Sequence, residues 1–348
     1  MLWLYCFITI STMFFVTAAI GAVTAGFLDH LFGIHEMLPV KSFHLTVLVL
    51  FVVCLSILTW GKYKALDGLI KIIGSVLLIT TIVAFVLVLK HGPVSGHVSF
   101  WPLAEEFQLQ HIGFVVALMG WMPTAVDMSS WNSLWTVARI EQTGYKPTLK
   151  QTLLEFNLGY WISAVLAICF VTFGAYLLFH TGTTMSDKSH EFAAQVVSLY
   201  TRVMGDWSFY VIGPAAFCIM FGTSIAVLDG YGRALERTWY LLKKDSDEKE
   251  DNFNRNRYAL TLWIVGLGAL LIIFFFGSSM KFLVDLATTL SFIIAPIIAI
   301  ANYKLVTGKF TAIKDQPGKP LRLLAILGIG FLTLLSIGFI VFKIWEAM

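Results

Sequence analysis

Nine long apolar segments, each almost free of charged residues, most constrain what this chain can fold into. Their approximate bounds are 3–28, 43–60, 70–90, 111–138, 157–180, 207–228, 258–277, 283–302 and 323–343. Most exceed about 17 residues, which is the length that an α-helix needs to cross the hydrocarbon core of a bilayer. Charged residues make up 13% of the chain, which is about half their share of an ordinary soluble domain. The pattern predicts an all-α integral membrane protein that forms a single transmembrane domain over residues 1–348.

The basic residues between these segments predict how the chain is oriented in the bilayer. Seventeen of the 24 Lys and Arg residues lie in every second connection, and six lie in the alternate connections. Connections rich in Lys and Arg stay on the cytoplasmic side of a membrane. We therefore expect Met1 to be cytoplasmic and Met348 to be external. The same rule places connection 229–257 inside the cell and connection 180–206 outside it.

The cysteines and histidines of the chain give weaker signals. The four cysteines all lie in apolar segments, which is typical of small buried side chains rather than of a disulfide framework. His30, His35 and His44 surround the first predicted external connection, and His180 and His190 surround the third. A loop that gathers a metal ion is conceivable. Because neither group has the spacing of ligands on one regular element, we do not favour that interpretation.

Two pairs of opposite charges lie near predicted cytoplasmic helix ends. Asp67 and Lys71 form one pair, and Asp229 and Arg233 form the other. A spacing of four residues places both side chains on the same face of a helix, one turn apart. We interpret both pairs as structural ion pairs rather than as functional sites.

Segment 111–138 differs from the other eight because it is interrupted near its middle. Pro123 lacks a backbone donor and clashes with the preceding helical turn, and Gly120 adds flexibility just before it. At membrane depth, carbonyls without helical partners are tolerated only where they are buried or line a cavity. Transporters use such a break to present carbonyls and helix ends to an ion or solute near the midplane. We expect two half-helices and one half of a binding site; the alternative is a plain proline kink.

Asp127 is a carboxylate inside the same segment, four residues beyond Pro123. An unpaired charge at the centre of a membrane helix costs roughly 2.5–3.5 kcal/mol on insertion scales. The side chain must therefore face the bundle interior, a partner or water. Ser129, Ser130 and Asn132 follow it, so this half of the helix is polar as well as interrupted. Asp127 is our candidate relay for a proton or ion, and the alternative is a carboxylate solvated at the cytoplasmic interface.

The stretch 120–135, with Met122-Pro123-Thr124 near its start, resembles the broken sixth helix of the NRAMP family of divalent metal ion transporters. That helix carries a Met-Pro-His motif in the family. The stretches 61–64 and 228–231 are further points of resemblance. If the broken segment matches the sixth helix, the nine segments correspond to the third to eleventh helices of the family. The resemblance implies the inverted-repeat fold of amino-acid/sodium symporters, in a divergent bacterial branch located in the inner membrane.

The resemblance also implies roles for particular residues. Met122 corresponds to a methionine whose thioether contacts the ion, and a soft sulfur ligand favours transition metals over Mg²⁺ and Ca²⁺. Met119 matches a position that lends its backbone carbonyl, and the carbonyl of Gly120 lies beside it. Thr124 replaces the family's histidine and removes a titratable imidazole from the proton route. Proton coupling is therefore possible only by another route, and Asp127 is the local substitute.

One part of the family's metal site has no counterpart in this sequence. The first helix of NRAMP proteins carries an Asp-Pro-Gly-Asn break that completes the site together with the sixth helix. The chain contains no such motif. We expect that it is N-terminally incomplete and lacks the first two helices; the alternative is a chain without transport activity of its own.

Taken together, these residues predict secondary transport of a divalent transition-metal ion of the Mn²⁺ or Fe²⁺ type across the membrane. The ion is the substrate, and no resident cofactor is expected. The lipid bilayer is the expected surrounding, and a nucleic-acid partner is not expected. A transporter of a small organic solute on the same fold is the alternative. An enzyme is not expected, because we recognise no catalytic pair, such as two aspartates or a serine with a histidine, inside the predicted spans.

The predicted orientation can be tested with single cysteines in a variant that lacks the four native cysteines. We expect an impermeant thiol reagent to label Met185→Cys in intact cells, because connection 180–206 is predicted to be external. Asp247→Cys, in connection 229–257, should react only after permeabilisation. The opposite labelling pattern would overturn the orientation.

Overall fold

The computed structural model describes residues 2–37, 42–60, 63–94, 112–121, 124–125, 128–179, 181, 184–243, 253–276, 279–309 and 311–347. Within these ranges the regular structure is helical, and no strand is present. The helices are α1 (Leu2–Phe32), α2 (Ile34–Met37), α3 (Ser42–Trp60), α4 (Tyr63–His91), α5 (Ile112–Trp121), α6 (Ser129–Thr143), α7 (Leu149–Leu177), α8 (Ser189–Met204), α9 (Phe209–Lys243), α10 (Arg255–Phe276), α11 (Met280–Thr307) and α12 (Lys319–Ala347).

Eight helices in the described part of the chain are long and apolar enough to cross a membrane. They are α1, α3, α4, α7, α9, α10, α11 and α12, and each coincides with one of the predicted apolar segments. The remaining predicted segment, 111–138, is divided between the short helices α5 and α6. The prediction of an all-α membrane protein is therefore confirmed.

Helix α1 lies at the centre of the bundle and is more deeply buried than the other seven long helices. It packs against α3, α8, α9, α10 and α11. Its buried face includes a run of small residues, Ala18, Ala19, Gly21, Ala22 and Ala25. Small side chains let neighbouring helices approach closely, which is how dispersion contacts hold membrane helices together.

The pairs of contacting helices among six long helices map onto one another when the helices are exchanged in pairs, although the extent of the individual contacts differs. The exchange replaces α1 by α9, α3 by α10 and α4 by α11. Under this exchange, the α1–α3 contact corresponds to the α9–α10 contact. The α1–α11 contact corresponds to the α4–α9 contact. The contact of α1 with α10 becomes that of α9 with α3, while the contacts of α1 with α9 and of α3 with α10 map onto themselves. Two structurally equivalent halves would produce this pattern.

Two stretches that we predicted to be connections contain helix. Helix α9 continues to Lys243, well beyond the predicted end at residue 228, and α8 lies within the predicted connection 180–206. The reason is that both stretches are amphipathic rather than apolar. Beyond residue 228, α9 buries the polar residue Glu236 beside Tyr231 and Ala234. Helix α8 buries Val197 and Tyr200 in a core cluster, although with 16 residues it is too short to be a candidate membrane span.

A close approach between α6 and α9 depends on Gly230. A Cβ at this position would overlap the ring of Trp131, and Trp131 is itself only 3% exposed. We expect Gly230→Ala to lower the free energy of unfolding by about 1–3 kcal/mol, because the buried indole has little space to move. Thermal unfolding of the purified protein in detergent measures the effect.

The matched control for this prediction is Gly174→Ala on α7, where no atom lies within 4 Å of the added Cβ. Alanine favours a helix over glycine by up to about 1 kcal/mol, so this change should leave stability unchanged or raise it. Equal shifts in the melting temperature of the two variants would contradict the packing argument.

Candidate functional site at the broken helix

The interruption predicted at Pro123 is present in the structure. Helix α5 ends at Trp121 and helix α6 begins at Ser129. Thr124 and Ala125, which lie between them, are not helical. Two predicted site residues, Met122 and Asp127, lie outside the described residues, as does Pro123, and their roles stay predictions. The last carbonyls of α5 and the first amides of α6 lack partners in their own helices.

The end of α5 is fixed against α11 by contacts of Gly120 and Trp121. A Cβ at Gly120 would overlap the carbonyl oxygen of Thr288, and it would lie 3.3 Å from the Cβ of Phe292. The indole N–H of Trp121 donates a hydrogen bond of 3.1 Å to the Oγ of Ser291. Gly120 was predicted to add flexibility to the break. In the structure it also allows the backbones of α5 and α11 to touch, which a larger residue would prevent.

The side chain of Met119 lies in an apolar cluster. It is partly buried and packs against Val116, Phe292 and Phe339, which come from α5, α11 and α12. A thioether in these surroundings contributes packing rather than a ligand atom. Since only the carbonyl of Met119 was predicted to contact an ion, its expected role is compatible with this packing.

Neutral polar side chains surround the start of α6. The amide of Asn302 donates a hydrogen bond of 2.9 Å to the Oγ of Ser129. The hydroxyls of Tyr5 and Ser130 share a hydrogen bond of 2.5 Å. The hydroxyl of Thr124, which is exposed, lies 3.5 Å from the sulfur of Met128 as a weak donor. The start of α6 is thereby tied to α1 and α11.

Our sequence analysis did not identify Tyr5 and Asn302 as part of this site. Tyr5 lies near the start of α1, and Asn302 lies near the end of α11. The only signal in the sequence is that each is a polar residue within a predominantly apolar segment. Polar side chains in a membrane helix tend to face the bundle interior rather than lipid, and this rule would have marked both as interior positions.

A buried carboxylate anchors the other part of α6. Asp229 of α9 is 5% exposed. Its Oδ2 accepts a hydrogen bond of 2.7 Å from the indole of Trp135 on α6, and its Oδ1 accepts one of 2.5 Å from the hydroxyl of Tyr258 on α10. The guanidinium Nε of Arg233 lies 2.9 Å from both carboxylate oxygens. The ion pair predicted from the spacing of Asp229 and Arg233 is confirmed. The side chains of the other predicted pair, Asp67 and Lys71, are not among those that the structure describes.

The contacts of Asp229 join three helices through one charge. A buried carboxylate is costly unless donors and an opposite charge compensate it, and Trp135, Tyr258 and Arg233 provide both. Helix α6 starts at the break, and its Trp135 donates a hydrogen bond to Asp229. A rotation of α6 would therefore either break this hydrogen bond or move Asp229 with it. Rigid-body motion of one packed element against another is a common form of conformational switching. The carboxylate therefore constrains how α6 can move.

A second polar cluster lies at the opposite end of the bundle, where α1, α2 and α8 meet. It contains Asp29, His35 and His190, and one potential ligand atom from each residue lies within 4.8 Å of the others. The rings of His35 and His190 are stacked, with centroids 4.1 Å apart and planes inclined by 23°. Burial of His190, followed by the neighbouring His35, lowers the pKa of the His190 imidazole below its usual value. The electrostatics at this end therefore favour a neutral imidazole at position 190.

Comparisons with known proteins place the chain among relatives without an assigned activity. No family model matches the sequence. The protein described as "Uncharacterized protein PM0681" of Pasteurella multocida (strain Pm70) is 30% identical over 342 residues. The match covers 97% of this chain and 75% of that protein. Because the similarity extends over nearly the whole chain, it includes both halves of the broken helix rather than one motif.

The network around Asp229 predicts that Tyr258 contributes to stability through its hydroxyl. We expect Tyr258→Phe to lower the free energy of unfolding by about 1–3 kcal/mol, since a buried carboxylate loses one donor. Tyr210→Phe is the control, because Tyr210 is 79% exposed and should tolerate the change. Thermal unfolding in detergent compares the two variants with the unchanged protein. A Tyr258→Phe protein that melts like the control would show that the bond to Asp229 contributes little.

Proposed function

We propose a transport function for this chain, which belongs to the same family as the uncharacterized protein PM0681 of Pasteurella multocida. The cargo is a divalent transition-metal ion of the Mn²⁺ or Fe²⁺ type, moved by secondary transport across a bacterial inner membrane. Met1 lies on the cytoplasmic side in this proposal. The observation that carries it is the interruption between Trp121 and Ser129, inside a bundle of long apolar helices. Broken helices in membrane bundles present partly unsatisfied backbone groups to a cargo near the midplane.

The packing pattern of the six long helices supports an inverted-repeat fold. In that fold the two halves are related by a pseudo-two-fold axis, and the cargo site lies where they meet. Exchange of α1 with α9, α3 with α10 and α4 with α11 maps the pairs of contacting helices onto one another. The start of α6 is hydrogen-bonded to α1 and α11, which belong to different halves under this exchange. The start of α6 therefore lies at the boundary between the proposed halves.

The proposed ion ligands come from the end of α5 and the residue that follows it. Met119 and Gly120 lie in the last turn of α5, where carbonyls have no partner in their own helix. These carbonyls serve as hard oxygen ligands in the proposal, and Met122 serves as a soft sulfur ligand. The combination suits a borderline transition metal better than Mg²⁺ or Ca²⁺. Thr124 adds a neutral hydroxyl, and Asp127 relays a proton or ion.

A small neutral organic solute is the second candidate cargo. The polar side chains described near the break are hydroxyls, an amide and an indole, contributed by Tyr5, Trp121, Ser129, Ser130 and Asn302. Neutral donors and acceptors of this kind recognise an uncharged polar molecule as well as they line an ion path. Transport assays therefore have to separate the two cargoes.

The sulfur of Met122 provides the sharpest test of the metal proposal. We expect the full-length protein, reconstituted in liposomes, to take up Cd²⁺ and Mn²⁺. Met122→Ala should reduce Cd²⁺ uptake by about tenfold or more, because the soft ligand is lost. Mg²⁺ and Ca²⁺ should compete relatively better in the variant, since selectivity is a difference of affinities. Met204→Ala, at the end of α8 and away from the break, is the matched control.

The outcomes separate the two cargoes. Equal and negligible uptake of every divalent ion by the unchanged full-length protein would end the metal proposal. If the full-length protein takes up metal but Met122→Ala matches Met204→Ala for all ions, Met122 is a packing residue rather than a ligand. If an uncharged solute is taken up without any metal dependence, the second candidate replaces the first.

A further inference from the structure

The fold brings one carboxylate and two imidazoles together at the end of the bundle opposite Asp229. Asp29 lies near the end of α1, His35 lies on α2, and His190 lies on α8. One potential ligand atom from each residue lies within 4.8 Å of the other two. Two histidines and one carboxylate are a set of ligands that proteins use for Zn²⁺ and related transition metals.

Two glycines explain how these three elements converge. Gly33 adopts a left-handed backbone conformation with φ of 62°, and its carbonyl accepts a hydrogen bond of 3.1 Å from the amide of Glu36. This turn folds α2 back over the end of α1. A Cβ at Gly26 would overlap the backbone carbonyl of Ser189, so the start of α8 rests directly on α1. His190 follows Ser189 and is placed beside Asp29 by that contact.

Asp29 differs from the other buried carboxylates because one of its oxygens is unsatisfied. The residue is 3% exposed, and its Oδ1 has no hydrogen-bond partner among the described residues. A buried carboxylate oxygen without a donor or cation is costly, and such groups in native proteins require a specific explanation. The two imidazoles beside it carry nitrogen atoms that can share a cation with that oxygen.

We propose that Asp29, His35 and His190 bind a divalent transition-metal ion such as Zn²⁺. Ligands about 2.0–2.2 Å from a tetrahedral Zn²⁺ lie about 3.4 Å from one another. The observed separations of up to 4.8 Å therefore require a contraction of about 1.5 Å or less, which rotation of the two imidazoles can supply. Both histidines are partly exposed, so the ion can enter from solvent, and water can occupy a fourth position.

Two neighbouring charged groups also act on His190. The carboxylate of Glu191 lies 3.8 Å from the Nε2 of His190, but it pairs more closely with the ammonium of Lys188 at 2.9 Å and accepts a hydrogen bond of 2.6 Å from the hydroxyl of Ser186. Lys188 and Glu191 shift the pKa of His190 in opposite directions. The ring of His30 packs edge-on against Phe209 with centroids 5.6 Å apart, and this residue is not one of the three whose ligand atoms lie within 4.8 Å of one another.

A metal ion at this position would join α8 to α1. The three ligands come from separate elements, so the ion would act as a cross-link between the end of the central helix and the amphipathic helix beside it. This site is distinct from the break between α5 and α6, and it shares none of the proposed cargo ligands. The inference therefore holds whether or not the chain transports metal ions.

The test measures Zn²⁺ binding by the purified full chain in detergent, in competition with a chromogenic chelator. We expect one equivalent of bound Zn²⁺ to depend on both histidines. His35→Gln and His190→Gln should each weaken the affinity for this Zn²⁺ at least about tenfold, because even changes to residues that only support the ligands cost about 10–100-fold. His44→Gln is the control: its ring stacks on Phe274 with centroids 5.0 Å apart, and it supplies no ligand. Met122→Ala should retain this equivalent, which separates it from the proposed cargo site.

Thermal unfolding provides the second readout. Zn²⁺ should raise the melting temperature of the unchanged chain and of His44→Gln, because a ligand that binds the folded state stabilises it. The increase should be lost in His35→Gln and His190→Gln, whose melting temperatures without metal show that both variants fold. Absence of saturable binding by the unchanged chain, or binding that both histidine variants retain in full, would overturn the proposal. Neither result would bear on the uptake assays, which examine Met122.

Discussion

Hydrocarbon offers no hydrogen-bond partner to a peptide group, and the architecture of this chain follows from that constraint. Eight described helices satisfy their backbone internally and are long and apolar enough to cross a bilayer. The backbone leaves the helical conformation inside an apolar segment between Trp121 and Ser129. There α11 packs on Gly120, and α1 and α11 donate or share hydrogen bonds with the start of α6, while Thr124 is exposed. The described residues on both sides of the break are therefore held by neighbouring helices.

Two buried carboxylates at opposite ends of the bundle have contrasting surroundings. Asp229 accepts hydrogen bonds from Trp135, Tyr258 and Arg233, so its charge is compensated within the protein and its role is to join helices. Asp29 keeps one oxygen without a partner among the residues described, and two imidazoles lie beside it. A satisfied buried polar group rigidifies a structure, whereas an unsatisfied one is costly. The same residue type thus serves packing at one end and suits a metal ion at the other.

Local features of the chain were predictable because helix geometry is fixed. The apolar segments identified the long helices, since about 20 consecutive apolar residues have few other stable arrangements. Pro123 marked the interruption, because its ring and missing N–H weaken a helix, although α9 and α11 continue through Pro214 and Pro296. The amphipathic helix α8 and the extension of α9 to Lys243 were missed. Their polar faces lower the average hydropathy, and their stability comes from burial of one face against neighbours that sequence windows do not include.

The sequence by itself determined the membrane class, the position of the broken helix and the pairing of Asp229 with Arg233, since residues four apart in a helix always share a face. Tertiary structure decided the rest. Trp135 and Tyr258 reach Asp229 only because α6 and α10 pack on α9. The contact with α6 requires the absence of a side chain at Gly230, where a Cβ would overlap Trp131. His35 and His190 are distant in sequence, and they meet beside Asp29 because of the turn at Gly33 and the contact of α8 with Gly26. Convergence of this kind depends on how whole helices pack, and no local spacing encodes it.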